Sequence, residues 1–233
     1  VKKQPKQLVN STYERRENDS YLTDHWVTRA LLRHLSYRPK KDHFYDPCAG
    51  RGDILAAIRA HLPGPVYVSG ADIDPPKKRF KMSICKTDFL DPGTRLHHDA
   101  DIIVTNPPFG DLAYKCLVQA LSSESAHTVA FLLRSAWNTS PGRNGVRTRL
   151  FDNKSGGFVS AWNKNAGPFR FAYEIVLTER PLWDWWYVTD EERIEQDLNK
   201  PFHSYSWFVW KRGWRGPSTQ FWEGHDGKGR VKL

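Results

Sequence analysis

The chain has 233 residues, of which 39% are apolar, enough to bury one core with room for a sizeable insert, so a fibrous or wholly disordered chain is excluded. Lys and Arg number 35 against 26 Asp and Glu, a net +9 that favours a polyanionic partner. No run approaches the roughly 18 apolar residues that span a bilayer, and the stretch from Val1 to Asn10 is not of signal-peptide type.

Residues 1–18 are polar and charged and read as a flexible arm, with residues 19–233 as a single domain. Trp26, Val27, Ala30, Leu31 and Leu35 fall on helical spacing and predict an amphipathic helix that ends in the polar stretch Ser36 to Lys41. His43 to Cys48 predicts a strand, a turn follows at Gly50 and Gly52, and Ile54 to Leu62 resumes helical periodicity before Pro63. Val66 to Ala71 predicts a second strand ending in Asp72, and a weaker strand precedes Thr87-Asp88-Phe89. Asp101 to Thr105 predicts another strand, Leu112 to Leu121 a helix and Thr128 to Leu133 a strand. The Asn-, Gly- and Lys-rich stretch from Asn153 to Gly167 reads as a loop, Phe171 to Thr178 and Tyr205 to Trp210 as late strands, and residues 182–202 as an insertion between them.

Strands alternating with helices, with Gly, Pro and acids gathered after the strand ends, predict a parallel α/β sheet with its ligand site at the carboxyl ends of the strands. Cys48, Cys85 and Cys116 are widely spaced and odd in number, and nine histidines are scattered without ligand spacing. Free thiols and no metal are expected.

Glycines at 50 and 52 let backbone approach a ligand, and the helix behind them presents its first amides to it. A lone GxG is equally a plain β-to-α turn, and Leu55 stands where a dinucleotide fingerprint has its third glycine. Asp72 follows Gly52 by twenty residues at a strand end, where a carboxylate can accept both hydroxyls of a ribose, so turn and acid together point to an adenosine-type ligand. Asp88 is placed to accept from an adenine amine with Phe89 near the ring; otherwise it is a solvated loop acid.

Asn106-Pro107-Pro108-Phe109 is the most informative run. Two prolines stiffen the backbone and remove two amide donors. A carboxamide oxygen and a proline carbonyl can then accept from one exocyclic NH2 group and draw its lone pair toward an electrophile, while the aromatic stacks on the base. The plainer alternative is a rigid loop with a buried Phe.

With these runs in place the sequence resembles the S-adenosylmethionine-dependent amino-methyltransferases, in particular small phage-type adenine-specific (N6) DNA methyltransferases. Their cofactor motif is similar to Asp46 to Gly52, their ribose acid to Asp72, their adenine-side acid to Asp88 and their catalytic motif to Asn106 to Phe109. Tyr21-Leu22-Thr23 is similar to their N-terminal cofactor motif, with Asp24 where proline is usual. The resemblance implies an α/β, Rossmann-like class I methyltransferase fold with a seven-stranded, mostly parallel sheet and an antiparallel C-terminal edge. It implies S-adenosylmethionine as cofactor, held by Tyr21, Thr23, Asp46, Cys48, Ala49, Gly50, Gly52, Asp72, Ile73, Asp88 and Phe89. Asn106, Pro107, Pro108 and Phe109 are the implied catalytic residues, acting by direct methyl transfer without a cysteine nucleophile. Related enzymes that methylate RNA base amines or protein glutamine remain alternatives, as does a non-catalytic nucleic-acid-binding subunit of the same fold.

Trp207, Trp210, Lys211, Arg212, Trp214 and Arg215 interleave aromatics with cations, as a surface that stacks bases and tracks phosphates would; a core strand with a solvated tail produces the same pattern. Arg143 and Arg147, after the fifth strand, join Lys211, Arg212 and Arg215 as candidate nucleic-acid contacts. The expectation is a soluble, cytoplasmic protein of phage or prophage kind, acting on DNA.

Overall fold

The computed structural model describes residues 22–77, 79–91, 99–137, 148–151, 157–158, 167–181 and 203–225. The arm over 1–18, the insertion over 182–202 and most of the loop over 153–167 lie outside them.

Helix α1 (His25–Leu32) is followed by β1 (His43–Asp46), α2 (Asp53–His61), β2 (Tyr67–Asp72), β3 (Ile84–Lys86) and β4 (Ile102–Thr105). Then come α3 (Asp111–Leu121), β5 (Thr128–Arg134), the short α4 (Thr148–Phe151), β6 (Phe169–Leu177), β7 (Tyr205–Arg212) and β8 (Thr219–Glu223). They build one sheet in the order β3-β2-β1-β4-β5-β7-β6-β8. Among the described residues β7 alone runs against the other strands, wedged between β5 and β6. The expected Rossmann-like sheet is therefore present, with the antiparallel strand on its C-terminal side, but it has eight strands rather than seven. The extra one is β8, which pairs parallel with β6 and forms that edge.

The central strands are buried on both faces, which is why β4 (IIVT) and β5 (TVAFLLR) read as continuous apolar runs. Period-two alternation sorts their side chains. Phe44, Ile102, Val104, Ala130, Leu132 and Trp207 pack with Val27, Ala30 and Leu31 of α1 and Ile54 and Ile58 of α2. Tyr45, Ile103, Val129, Phe131, Phe208 and Trp210 pack with Ala113, Leu117, Ala120 and Leu121 of α3. Two buried indoles pin β7 to both layers: Trp207 Nε1 donates to the Val27 carbonyl and Trp210 Nε1 to that of Leu150, each at 2.8 Å. Each bond satisfies a polar atom that burial would otherwise strand.

The parallel strands β1, β2, β4 and β5 all end at one edge of the sheet, where the expected site residues gather. The opposite edge is tied by Arg38, which donates to Asp42 (2.6 Å) and Asp101 (2.8 Å), while Asp101 accepts from the His43 N–H. Among the described residues no helix is long and apolar enough to cross a membrane.

Candidate active site

The turn after β1 is shaped by three glycines. Gly50 and Gly52 have φ of +50° and +93°, conformations that L side chains rarely adopt. Gly70 on β2 has an ordinary backbone but no room, since a Cβ there would lie 2.8 Å from Ala49 Cβ and 2.9 Å from the Asp46 carbonyl. The turn lies directly on β2, held by the Ala49 N–H donating to the Ala71 carbonyl at 2.8 Å. This close approach brings Gly50 to Asp72: the Gly50 N–H donates to Asp72 Oδ2 at 2.7 Å and the Asp74 N–H to Oδ1 at 2.9 Å.

Asp46, the last residue of β1, is buried and accepts from Thr105 Oγ1 at 2.7 Å and from the Cys48 N–H at 3.1 Å. Burial pushes its carboxyl up to about 7, against the lowering effect of those two donors. Cys48 lies against Cys116 of α3, and the hydrogen bond between the thiols, together with burial, holds the Cys48 thiol well above its ordinary value. It is therefore not an activated nucleophile.

A cavity of about 160 Å³ opens beside this turn. Pro47, Cys48, Asp72, Ile73, Asp88, Phe89 and Pro108 line it, so five of the expected cofactor residues and one of the expected catalytic run share one wall. Asp88 is exposed and accepts from the Leu90 N–H at 2.8 Å. Phe89 is buried, with its ring 6.4 Å from that of Tyr45. Leu90, Leu112 and Cys116 complete the lining and were not anticipated. Their one sequence signal is the i,i+4 spacing of Leu112 and Cys116, which puts both on one face of α3.

The Asn106 to Phe109 run leaves the end of β4 at the same edge. Asn106 Nδ2 donates to the buried Thr23 Oγ1 at 3.2 Å, just ahead of α1, while Asn106 Oδ1 is buried with no donor among the described residues. Phe109 packs against the α1 side of the core with its ring 6.3 Å from that of Tyr205, and the Arg134 guanidinium stands 5.6 Å from its centroid. Tyr21 lies outside the described residues.

Of the candidate nucleic-acid contacts, Lys211, Arg212 and Arg215 are not brought to this edge. The β5–β7 register sets Lys211 opposite Thr128 and Tyr205 opposite Arg134, so Lys211 and Arg212 emerge at the amino-terminal edge, about 20 Å away along β5. There Lys211, Arg212 and Arg215 line an open cavity of about 510 Å³ with Arg38, Asp42, His127 and Trp214. Arg212 donates to the carbonyls of Ala126, Gly167 and Ser123 and lies over the Phe169 ring, a structural commitment. Lys211 Nζ sits over the Tyr173 and Trp214 rings. Arg143 and Arg147 lie outside the described residues. Asp42, Asp101 and His127 bring ligand atoms within 4.8 Å of one another at this edge, a convergence that sequence spacing does not reveal, although Arg38 already neutralises both carboxylates.

No protein-family model matches the sequence, and no curated protein matches it. Among solved structures, the chain is similar to the modification subunit ascribed to a type I restriction enzyme of Vibrio vulnificus, with 13% identity and a TM-score of 0.49, over 90% of this chain and 48% of that one. It is also similar to TrmN from Thermus thermophilus, with 18% identity and a TM-score of 0.45, over 79% and 48%. A third is the methyltransferase subunit of a type I restriction-modification system from Streptococcus thermophilus, with 13% identity and a TM-score of 0.43, over 82% and 43%. The chain spans less than half the length of each of these proteins.

Proposed function

We propose that this chain transfers a methyl group from S-adenosylmethionine to the exocyclic N6 amine of adenine in DNA. The observation that carries this reading is Asn106. Its carboxamide nitrogen is engaged by Thr23 and its oxygen is buried with no donor among the described residues, while Pro108, two residues on, lines the cavity bordered by Asp72. An oriented acceptor lacking a donor is the complement of a substrate N–H.

The residues present fit the cofactor. A Cβ on Gly50 would meet nothing within 4 Å, so open space lies where the ligand's backbone contacts are needed. Each Asp72 carboxylate oxygen accepts one backbone N–H, from Gly50 and from Asp74, leaving each with acceptor capacity for a ribose hydroxyl. Asp88, Ile73 and Phe89 would enclose the adenine end, and Asp46, Cys48, Ala49, Gly50, Gly52 and Thr23 the remainder, with Tyr21 ahead of them. When bound, S-adenosylmethionine supplies an electrophilic methyl group on its sulfonium.

The protein's part is positioning. Asn106 Oδ1 and the Pro107 carbonyl would accept hydrogen bonds from the two hydrogens of the target amine and so turn the nitrogen lone pair out of conjugation; the surplus proton of the methylated amine is then lost to water. Phe109 stacks on the base that has left the duplex. The high thiol of Cys48 is consistent with attack by the amine itself rather than through a covalent cysteine adduct.

The test is transfer of isotopically labelled methyl groups to DNA, to ribosomal RNA and to a glutamine-bearing peptide, with the product nucleoside identified by mass spectrometry. N6-methyladenine in DNA is the expected product. Label in RNA or peptide alone moves the chain to those substrates, and cofactor binding without transfer to any of them leaves a non-catalytic subunit.

A further inference from the structure

The groove at the amino-terminal edge of the sheet gathers charge that the methyl-transfer residues do not use. Its volume of about 510 Å³ is that of a small-molecule site, and it forms where the turn after β7 meets the loop between α1 and β1. Gly213, at φ +67°, makes that turn, and its N–H donates to the Pro168 carbonyl at 2.9 Å. Trp214 follows and is held in place: its Nε1 donates to the Pro217 carbonyl at 3.3 Å, and a Cβ on Gly216 would lie 2.8 Å from the ring. Trp214 and Tyr37 thus give the groove two aromatic walls.

Four cations, Arg38, Lys211, Arg212 and Arg215, line the groove against one carboxylate, that of Asp42. Asp42 is buried and accepts from the Arg38 N–H and Nε at 2.6 Å each, so its charge is already met. Lys211 Nζ stands 5.2 Å from the Tyr173 ring centroid and 5.5 Å from that of Trp214, and neither Lys211 nor Arg215 forms an ion pair among the described residues. Ring faces steady an ammonium without neutralising it, and burial holds Lys211 below its ordinary value. An anion in the groove would offset that cost. An exposed guanidinium beside a partly buried ammonium suits a phosphate, which the fork of Arg215 can grip through two oxygens.

We propose that this groove is a second ligand site that takes a phosphate ester of nucleotide size, with its phosphate on Lys211 and Arg215 and its base against Trp214 and Tyr37. The site lies about 20 Å from the Asn106 edge along β5, so it fills independently of the methyl-transfer site and does not rest on the reading of that site. A free mononucleotide and one unit of a polynucleotide present the same phosphate and base, and the experiment separates them.

That experiment is isothermal titration calorimetry of thymidine 5′-monophosphate into the protein with S-adenosylhomocysteine present in excess to fill the cofactor site. One site should appear. Thymidine and inorganic phosphate, each lacking one half of the ligand, should bind at least about tenfold more weakly. Arg215→Gln, which changes an exposed side chain, should weaken binding about tenfold, and Lys211→Gln/Arg215→Gln should weaken it further. Tighter binding of a short oligothymidylate than of the monophosphate assigns the groove to a polymer, and equal affinity assigns it to a free nucleotide; either result supports the site. Absence of binding by both, wild-type affinity in Arg215→Gln and the double variant, or equal binding of thymidine or inorganic phosphate overturns the proposal.

Discussion

The Thr105 hydroxyl, at the end of β4, donates to Asp46 Oδ1 at the end of β1 across 2.7 Å of buried space. It joins the two loops on which the proposed chemistry depends, since Asp46 opens the cofactor turn and Thr105 immediately precedes Asn106. Thr105→Val should strand the Asp46 carboxyl with one donor fewer, destabilising the protein by about 1 to 3 kcal/mol. It should also lower both cofactor affinity and turnover, as measured by thermal melting, calorimetry and initial rates. A variant impaired in only one of the two activities would show that the loops are positioned independently.

Asp46 also sets a pH dependence. Its carboxyl sits at about 7 in the folded protein against 3.8 in the unfolded chain, so between those values the folded state holds the extra proton. Its contribution to stability is fully present below 3.8 and is lost as pH rises to about 7, by at most about 4 kcal/mol. Asp46→Asn removes this titration. The difference in unfolding free energy between variant and wild type should therefore drift in favour of the variant across that window and level off above it.

Asn106→Ala should lower the transfer rate by at least about a hundredfold, on the scale of losing one preorganised polar contact to the reacting group, with little change in cofactor affinity. Thr23→Val should give a smaller loss of rate, because it frees the carboxamide to rotate without removing the acceptor, and should also weaken cofactor binding, since Thr23 is one of the proposed cofactor residues. Single-turnover kinetics beside calorimetry separates the two effects. Full activity in Asn106→Ala would end the catalytic assignment.

Asp72→Ala removes the acceptor of the Gly50 N–H as well as the proposed ribose contact. Cofactor binding should weaken by about 1.5 to 3 kcal/mol for each charged hydrogen bond lost. Unchanged affinity in calorimetry would take Asp72 out of the site.

Gly70→Ala tests the close approach of the turn to β2. The added methyl group has no room beside Ala49 and the Asp46 carbonyl, so the turn must shift, at a cost of about 1 to 3 kcal/mol in stability and with weaker cofactor binding. Wild-type behaviour on both counts would mean that the turn has slack to yield.

Much of this is legible in the residues. The helical stripe at Trp26 to Leu31, the apolar runs of β4 and β5 and the punctuation at Gly50, Gly52 and Pro63 each mark an element that the structure contains. Strand β8 escaped notice because Thr219–Glu223 is an edge with mostly exposed side chains, and such a strand carries no apolar alternation to read. Gly70 escaped because its need is set by what β2 is packed against rather than by its own φ. The cations from Lys211 to Arg215 show a different kind of loss. Local composition reveals their chemistry, but the edge they reach depends on strand direction, and an antiparallel β7 carries its C-terminal end away from Asn106.

The placement of β7 also dictates the order of assembly during synthesis. Strand β5 gains its second neighbour only from residues 205–212, more than seventy positions later in the chain, and β6 is joined to the sheet through that same strand. Until the ribosome has released that segment, β5 has an open flank and the Trp207 and Trp210 indoles have not reached Val27 and Leu150. Contacts this distant in sequence slow folding and leave a sticky intermediate exposed. Completion of the sheet thus waits on β7, and a nascent chain stalled short of Tyr205 would be a client for chaperones.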